Sequence, residues 1–444
     1  MGSFHSEDVD ELMLRKESSY SPPTLPFEYN ILKSEDQEPE FLIDRSNWTF
    51  LNHGAFGAAL NVGYRRAEQW RLHLERQPLR YFDRDLLPHL VYSARRIAHL
   101  CQASRESTTL IPNVTYGLNT ILQGYSRVFQ DNAQVVLWDT SYGSLKKMAN
   151  EYCPGKVSEI QLSSRFHQWK SSFADNPSEL FESLLTETLD VMDHTENALL
   201  VLDHTTSNTA LNMPLEQLSK LAKERGMLVL VDGAHGLGAQ NVNLSQLPHV
   251  DFYLGNGHKW LSCPRGIGML YCSSQDLRDS ILRRPACMSH GMGQGFQSRF
   301  LWDGCRDYAA ALSVPAVLDH WETSRPNGLV DVQHTIQNGL SNAVLTLQEM
   351  WETDTLAPLQ VHAPMMALVE LPGHLQKKNT RDDEKMLSTS EDAKRIQDYL
   401  FDQRIEVPIK CIEGRLYVRI SCHVYNELSE YEELGRVLLT YHQR

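Results

Sequence analysis

Short apolar runs recur through the middle of this 444-residue chain, and most end on a polar residue. Residues 134–138 run into Asp139, 198–202 into Asp203, and 227–231 into Asp232, while Tyr253-Leu254 leads into Gly255-Asn256-Gly257-His258-Lys259. Strands that are apolar throughout, rather than alternating, are buried on both faces. Between these runs lie stretches with helical spacing, such as 215–225, closed by Gly226 in the position that favours glycine after a helix. This alternation predicts an α/β fold, with a mostly parallel sheet between helical layers. Ligands of such sheets bind beyond the carboxyl ends of the strands, which is where the sequence sets Asp232 and Lys259.

The length points to two or three domains. Residues 1–40 are polar and charged, with Ser-Pro-Pro at 21–23, and are expected to form a disordered tail. Residues 41–65 enter the block Leu51-Asn52-His53-Gly54 and are expected to pack on a small domain at the mouth of the site. Residues 66–312 form the large ligand-binding domain. Residues 313–444 form a smaller α+β C-terminal domain, with helices at 315–350, 391–403 and 428–441 and strands near 361–371 and 416–420. The charge run at 377–385 reads as a solvated loop.

Composition excludes several classes. A formal net charge of −14 with no Lys/Arg cluster argues against nucleic-acid binding. No apolar run is long enough to cross a membrane, and the N-terminus lacks the basic and apolar regions of a secretory signal. Gly2 and Ser6 fit a myristoylation pattern superficially, but acidic residues follow. The eight cysteines are scattered, without C-x-x-C pairs or zinc-like spacing, so no metal site and a cytoplasmic location are expected.

An isolated lysine is usually a solvated surface group. Here an acid, Asp232, ends one buried strand and Lys259 follows the next, within His258-Lys259. That pair is what pyridoxal 5'-phosphate chemistry needs: an amine to bond the cofactor aldehyde, and a carboxylate to keep the pyridine nitrogen protonated. Arg419 sits in the apolar strand 416–420, where a charge is costly unless paired. Its guanidinium suits an amino acid's carboxylate; a structural salt bridge is the alternative. Thr115 opens a helix after Pro112-Asn113-Val114, an anion site or an ordinary cap.

The blocks Leu51-Asn52-His53-Gly54-Ala55-Phe56-Gly57, Pro112-Asn113-Val114-Thr115, Val231-Asp232-Gly233-Ala234-His235, Gly255-Asn256-Gly257-His258-Lys259-Trp260 and Val418-Arg419-Ile420-Ser421 run in order across the chain. Together they resemble the class V aminotransferases, and within them the isopenicillin N epimerase-like and cysteine lyase-like group. The resemblance implies the type I fold of pyridoxal-phosphate-dependent transferases, with a seven-stranded sheet in the large domain. It implies that Val114, Thr115, Asn256 and His258 hold the cofactor phosphate. Tyr142 would stack on the ring, Ser207 would bond its oxygen, and His235 would lie beside it. Lys259, Asp232 and Tyr142 would be catalytic. Arg419 would bind the substrate, with Asn52, His53 and Arg80 lining the mouth. The family often has a threonine where Cys305 stands, so any contribution of this position to a partner subunit's phosphate site stays open.

The expected enzyme is a homodimeric C–S lyase that removes sulfur from cysteine, or from a cysteine S-conjugate or sulfoxide, giving pyruvate and ammonia. Amino-acid epimerisation and transamination are alternatives. A non-catalytic binding protein on the same fold is an alternative of another class.

Overall fold

Seven strands form the central sheet: β1 (Thr108–Ile111), β2 (Val135–Trp138), β3 (Val157–Ile160), β4 (Leu199–Asp203), β5 (Leu228–Gly233), β6 (Phe252–Asn256) and β7 (Gly268–Cys272). They are seen in a computed structural model that describes residues 9–27, 39–192, 194–377 and 387–441. The order is β1-β7-β6-β5-β4-β2-β3. All pairings are parallel except the two made by β7. Successive residues of a strand face opposite sides of a sheet. Val136, Trp138, Leu200, Leu202, Val229 and Val231 therefore enter one apolar cluster, while Val135, Leu137, Leu199, Val201 and Leu230 enter another. Each such side chain contributes roughly 1.5–3 kcal/mol when fully buried. The Leu and Val runs of β4 and β5 are thus the means by which both helical layers are held.

A second, antiparallel sheet is built from β8 (Met366–Glu370), β9 (Ile409–Ile412) and β10 (Arg415–Ser421), in the order β9-β10-β8. Helices Leu329–Trp351, Ser390–Asp402 and Leu428–Thr440 contribute to its separate core, which also takes in Leu51. The N-terminal segment is stitched to this region by a parallel pairing of Thr49–Phe50 with Ile405–Glu406. It then crosses the turn that carries Lys259. A side chain at Gly57 would put its Cβ 2.0 Å from the His258 carbonyl oxygen, and the backbone there has φ +69. Only glycine permits this approach.

The expectation of a disordered tail fails for residues 9–27. Val9–Leu14 is a helix whose Val9, Leu12 and Met13 are buried. The Arg95 guanidinium donates to the carbonyls of Leu12, Met13 and Arg15 at 3.0–3.1 Å, satisfying acceptors that a helix end leaves free. Asp10 accepts from the Gln297 backbone N–H at 3.0 Å and the Ser298 hydroxyl at 2.6 Å. Residues 1–8 and 28–38 lie outside the described residues, as do positions 378–386, which hold all of the charge run except Lys377. Lys377 pairs with Asp392 at 2.7 Å. Among the described residues no helix is long and apolar enough to cross a membrane.

Candidate active site

The carboxyl ends of β4, β5 and β6 open into a cavity of about 530 Å³, closed on its other side by Lys410 of β9 and Arg419 of β10. Val114, Thr115, Tyr142, Ser207, Asp232, His235, Asn256, His258 and Lys259 all line it with Arg419. Residues spread over three hundred positions thus meet at one place.

Lys259 lies just past the end of β6, with its Nζ 3.0 Å from His235 Nε2. The indole N–H of Trp260 donates to His235 Nδ1 at 3.1 Å. A neutral imidazole has one N–H, so with Nδ1 accepting, the proton sits on Nε2. His235 must then donate to Lys259, and the lysine nitrogen must offer a lone pair. The electrostatics agree. Burial, followed by the charges of Lys259, Arg419 and His53, holds His235 well below its ordinary pKa. Burial pulls Lys259 down to about 8, against the opposing pull of Asp232. The site therefore shifts its lysine toward the neutral amine that a nucleophile requires, in reach at mildly alkaline pH.

Asp232 sits at the end of β5, in register with Asp203 of β4. Both carboxyls are buried and both pKa values are raised, burial being the leading cause. Asp203 reaches about 8, with the neighbouring Asp232 adding to the effect. Ser141 Oγ donates to it at 2.7 Å. Asp232 has two compensations, the Ala234 N–H at 3.0 Å and the charge of Lys259. Asp203 is accordingly the member of the pair that keeps its proton, leaving Asp232 as the anion.

Helix Val114–Phe129 points its N-terminus at the cavity, with Asn113 Oδ1 capping Tyr116 N at 2.9 Å. Here two expectations are revised. Asn256 Oδ1 accepts the Val114 N–H at 3.0 Å, so that amide is taken, and Asn256 keeps only its NH2 group for a ligand. What remains toward an anion is the first turn around Thr115, its hydroxyl, and the His258 ring. His258 shares its Nδ1 with the Ile267 carbonyl at 3.2 Å, and burial lowers its pKa to about 4. Tyr142 is 43% exposed at the cavity wall, which rules out a core role and leaves its ring face open.

Arg419 is 4% exposed. Its guanidinium donates to the Ser207 carbonyl and to Asn52 Oδ1, at 3.3 Å for the latter, while Nε has no partner. Burial lowers its pKa to about 10. Among the described residues no carboxylate pairs with it, so the alternative of a structural salt bridge falls.

Three expected mouth residues lie elsewhere. Asn52 orients Arg419 from outside the lining. His53 is fully buried behind the lysine turn, between the Lys259 carbonyl at 3.0 Å and the Tyr425 hydroxyl at 2.9 Å. It braces the turn's backbone. Arg80 pairs with Asp85 at 3.3 Å and does not reach the cavity of its own chain. Cys305 is exposed, and no cysteine lines the cavity among the described residues. Asp203, Arg265 and Lys410 line it but escaped the sequence reading. Only Asp203 had a signal, its place at a strand end.

Residues 89–285 match the family described as aminotransferase class-V. The chain is similar to an L-cysteine desulfhydrase of Arabidopsis thaliana, 26% identical, with 94% of this chain and 92% of the relative aligned. An isopenicillin N epimerase of Amycolatopsis lactamdurans is 26% identical over 88% of this chain and 94% of its own. A solved complex of the cystine C–S lyase C-DES with its product cysteine persulfide superimposes with a TM-score of 0.68 at 18% identity, covering 90% of this chain and 99% of the other.

The cavity fits pyridoxal 5'-phosphate. The Lys259 amine, its pKa lowered by burial, suits the aldehyde, the Asp232 anion a protonated ring nitrogen, the open Tyr142 ring the cofactor face, and the helix start at Thr115 the phosphate.

Proposed function

We propose that this chain is a pyridoxal-phosphate-dependent C–S lyase that converts cysteine, or a cysteine S-conjugate or sulfoxide, to pyruvate, ammonia and a sulfur-containing product. The observation that carries the reading is the buried, carboxylate-free guanidinium of Arg419 in the same cavity as Lys259, whose pKa burial lowers to about 8. When bound, the cofactor supplies an electron sink for the carbanion formed at Cα. The protein's own groups do the rest. Arg419 takes the substrate α-carboxylate, with Asn52 and the Ser207 carbonyl fixing its plane. Lys259, which would hold the cofactor aldehyde at rest, would act as the base that removes the Cα proton at Nζ. His235, held as the Nε2–H tautomer by Trp260, keeps that nitrogen available as a base. The Cα–H electron pair forms the Cα–Cβ double bond, the Cβ–S bond breaks, and sulfur leaves with its electrons. Water then hydrolyses the enamine to pyruvate and ammonia.

The relatives named as L-cysteine desulfhydrases support elimination. The absence of cysteine from the cavity lining among the described residues argues for direct departure of sulfur over transfer to a protein thiol. A homodimer accords with exposed Arg80 and Cys305, and a reducing cytoplasm with eight free thiols.

The test is product analysis with L-cysteine and a panel of its S-conjugates. Stoichiometric pyruvate, retained when Cys287, Cys305, Cys411 and Cys422 are each replaced by serine, supports the reading. Accumulation of the D-isomer would move the protein to the epimerases, alanine to the desulfurases, and a keto acid retaining sulfur to the transaminases.

A further inference from the structure

Lys410 lines the cavity, yet the elimination above does not use it. It lies on β9 opposite Tyr417 of β10. Arg419 is two residues further along β10, so the period of two puts Lys410 and Arg419 on the same face of the sheet. Both side chains line the cavity. The Lys410 ammonium is half-buried and takes part in no hydrogen bond or ion pair among the described residues. The one charge that acts on it appreciably is Arg419, and burial together with that like charge lowers its pKa to about 8. The carboxylates that line the cavity, Asp203 and Asp232, stand at the ends of the other sheet. A half-buried ammonium held beside a buried guanidinium, with no anion supplied for either, is unfavourable unless a ligand brings the anions. One α-carboxylate accounts for Arg419 and leaves Lys410 uncompensated.

We propose that Lys410 recognises a second anionic group on the substrate, and that the preferred substrate is a cysteine derivative whose sulfur substituent ends in a carboxylate or a similar oxyanion. This rests on the reading that Arg419 takes the α-carboxylate of an amino acid. The second anion would lie on the leaving portion, beyond Cβ, and depart with sulfur. Lys410 is then a specificity-determining residue: it selects among S-conjugates without touching the reacting bonds.

The matched ligands are S-carboxymethyl-L-cysteine and its neutral amide, S-carbamoylmethyl-L-cysteine. Their dissociation constants are read from the first, rapid change in the visible spectrum of the cofactor-loaded protein by stopped flow, before any turnover. The wild type is expected to favour the carboxylate by about tenfold, the worth of one charge-assisted contact. In Lys410→Met the ratio should fall to about one, while Lys410→Arg should keep the preference and show that the fold tolerates substitution there. The proposal is overturned if the wild type does not discriminate. It is overturned equally if Lys410→Met weakens both ligands by the same factor, which would make Lys410 a second holder of the α-carboxylate. Because the ratio is a binding measurement, it survives a failure of the lyase reading: absence of pyruvate from every conjugate would refute elimination and leave the ratio to be judged on its own.

Discussion

The indole of Trp260 decides which nitrogen of His235 carries a proton. It donates to Nδ1 at 3.1 Å, and Nε2, 3.0 Å from Lys259, is left as the donor. Trp260→Phe removes the donor while keeping an aromatic ring. The imidazole can then adopt the other tautomer and accept from a charged lysine. The pKa of Lys259 in cofactor-free protein should rise by about one unit, a differential interaction of about 1.4 kcal/mol. The pH dependence of cofactor attachment measures it. An unchanged profile would show that Trp260 is only packing.

Lys259 also sets a pH dependence of stability. Its folded pKa of about 8 is below the ordinary 10.5. Between these values the unfolded chain holds a proton that the folded one has released, so stability from this group rises with pH through that window. Below about pH 8 the charged lysine is buried at a cost, at most about 3 kcal/mol. Cofactor-free Lys259→Met should therefore melt at a higher temperature than the wild type at pH 7, and the gap should narrow by pH 10. Thermal unfolding across that range is the check.

Asp203 works in the opposite sense. Its pKa is raised from 3.8 to about 8. From pH 4 to 8 the folded state holds a proton that the unfolded state has lost, so stability from this group falls as pH rises. Asp203→Asn removes that loss and still offers Ser141 an acceptor. It should raise Tm at pH 7 and do so less at pH 5. Equal gains at both would place the shared proton on Asp232 instead.

Arg419→Lys keeps a charge but loses the planar fork. Apparent affinity for amino-acid substrates should drop by about tenfold or more, with cofactor affinity little altered. Substrate amides, which lack the α-carboxylate, should bind the variant and the wild type alike. An equal loss with amides would assign Arg419 to holding the fold.

Much of the large domain was legible because its strands are unbroken Leu and Val runs ending in acids, a pattern with few other outcomes. β3 and β7 were not. Val157–Ile160 is an edge strand with one solvated face, and Gly268–Cys272 opens with glycine and runs against its neighbours. The cavity-lining residues at strand ends were legible for the same reason as the strands. Asp203 and Lys410 needed strand order, because a carboxyl in register with Asp232, or an ammonium beside Arg419, is a fact about neighbours in a sheet. The link between Trp260 and His235 likewise joins two adjacent strand ends. His53 was misplaced because nothing local distinguishes a histidine that braces a turn from one that faces a cavity. Helix Val9–Leu14 has only six residues, and its partners Arg95 and Ser298 are remote in sequence.

That helix bears on how the protein is prepared for any of these measurements. A leading segment so polar is the first thing an experimentalist trims. A chain begun at residue 40 would lose three apolar plugs, Val9, Leu12 and Met13, and leave the Arg95 guanidinium, 5% exposed, without the carbonyls and the Glu17 carboxylate that now receive it. The shortened protein should be harder to keep in solution than the intact one, and a poor yield from it would say nothing about the chemistry of the cavity.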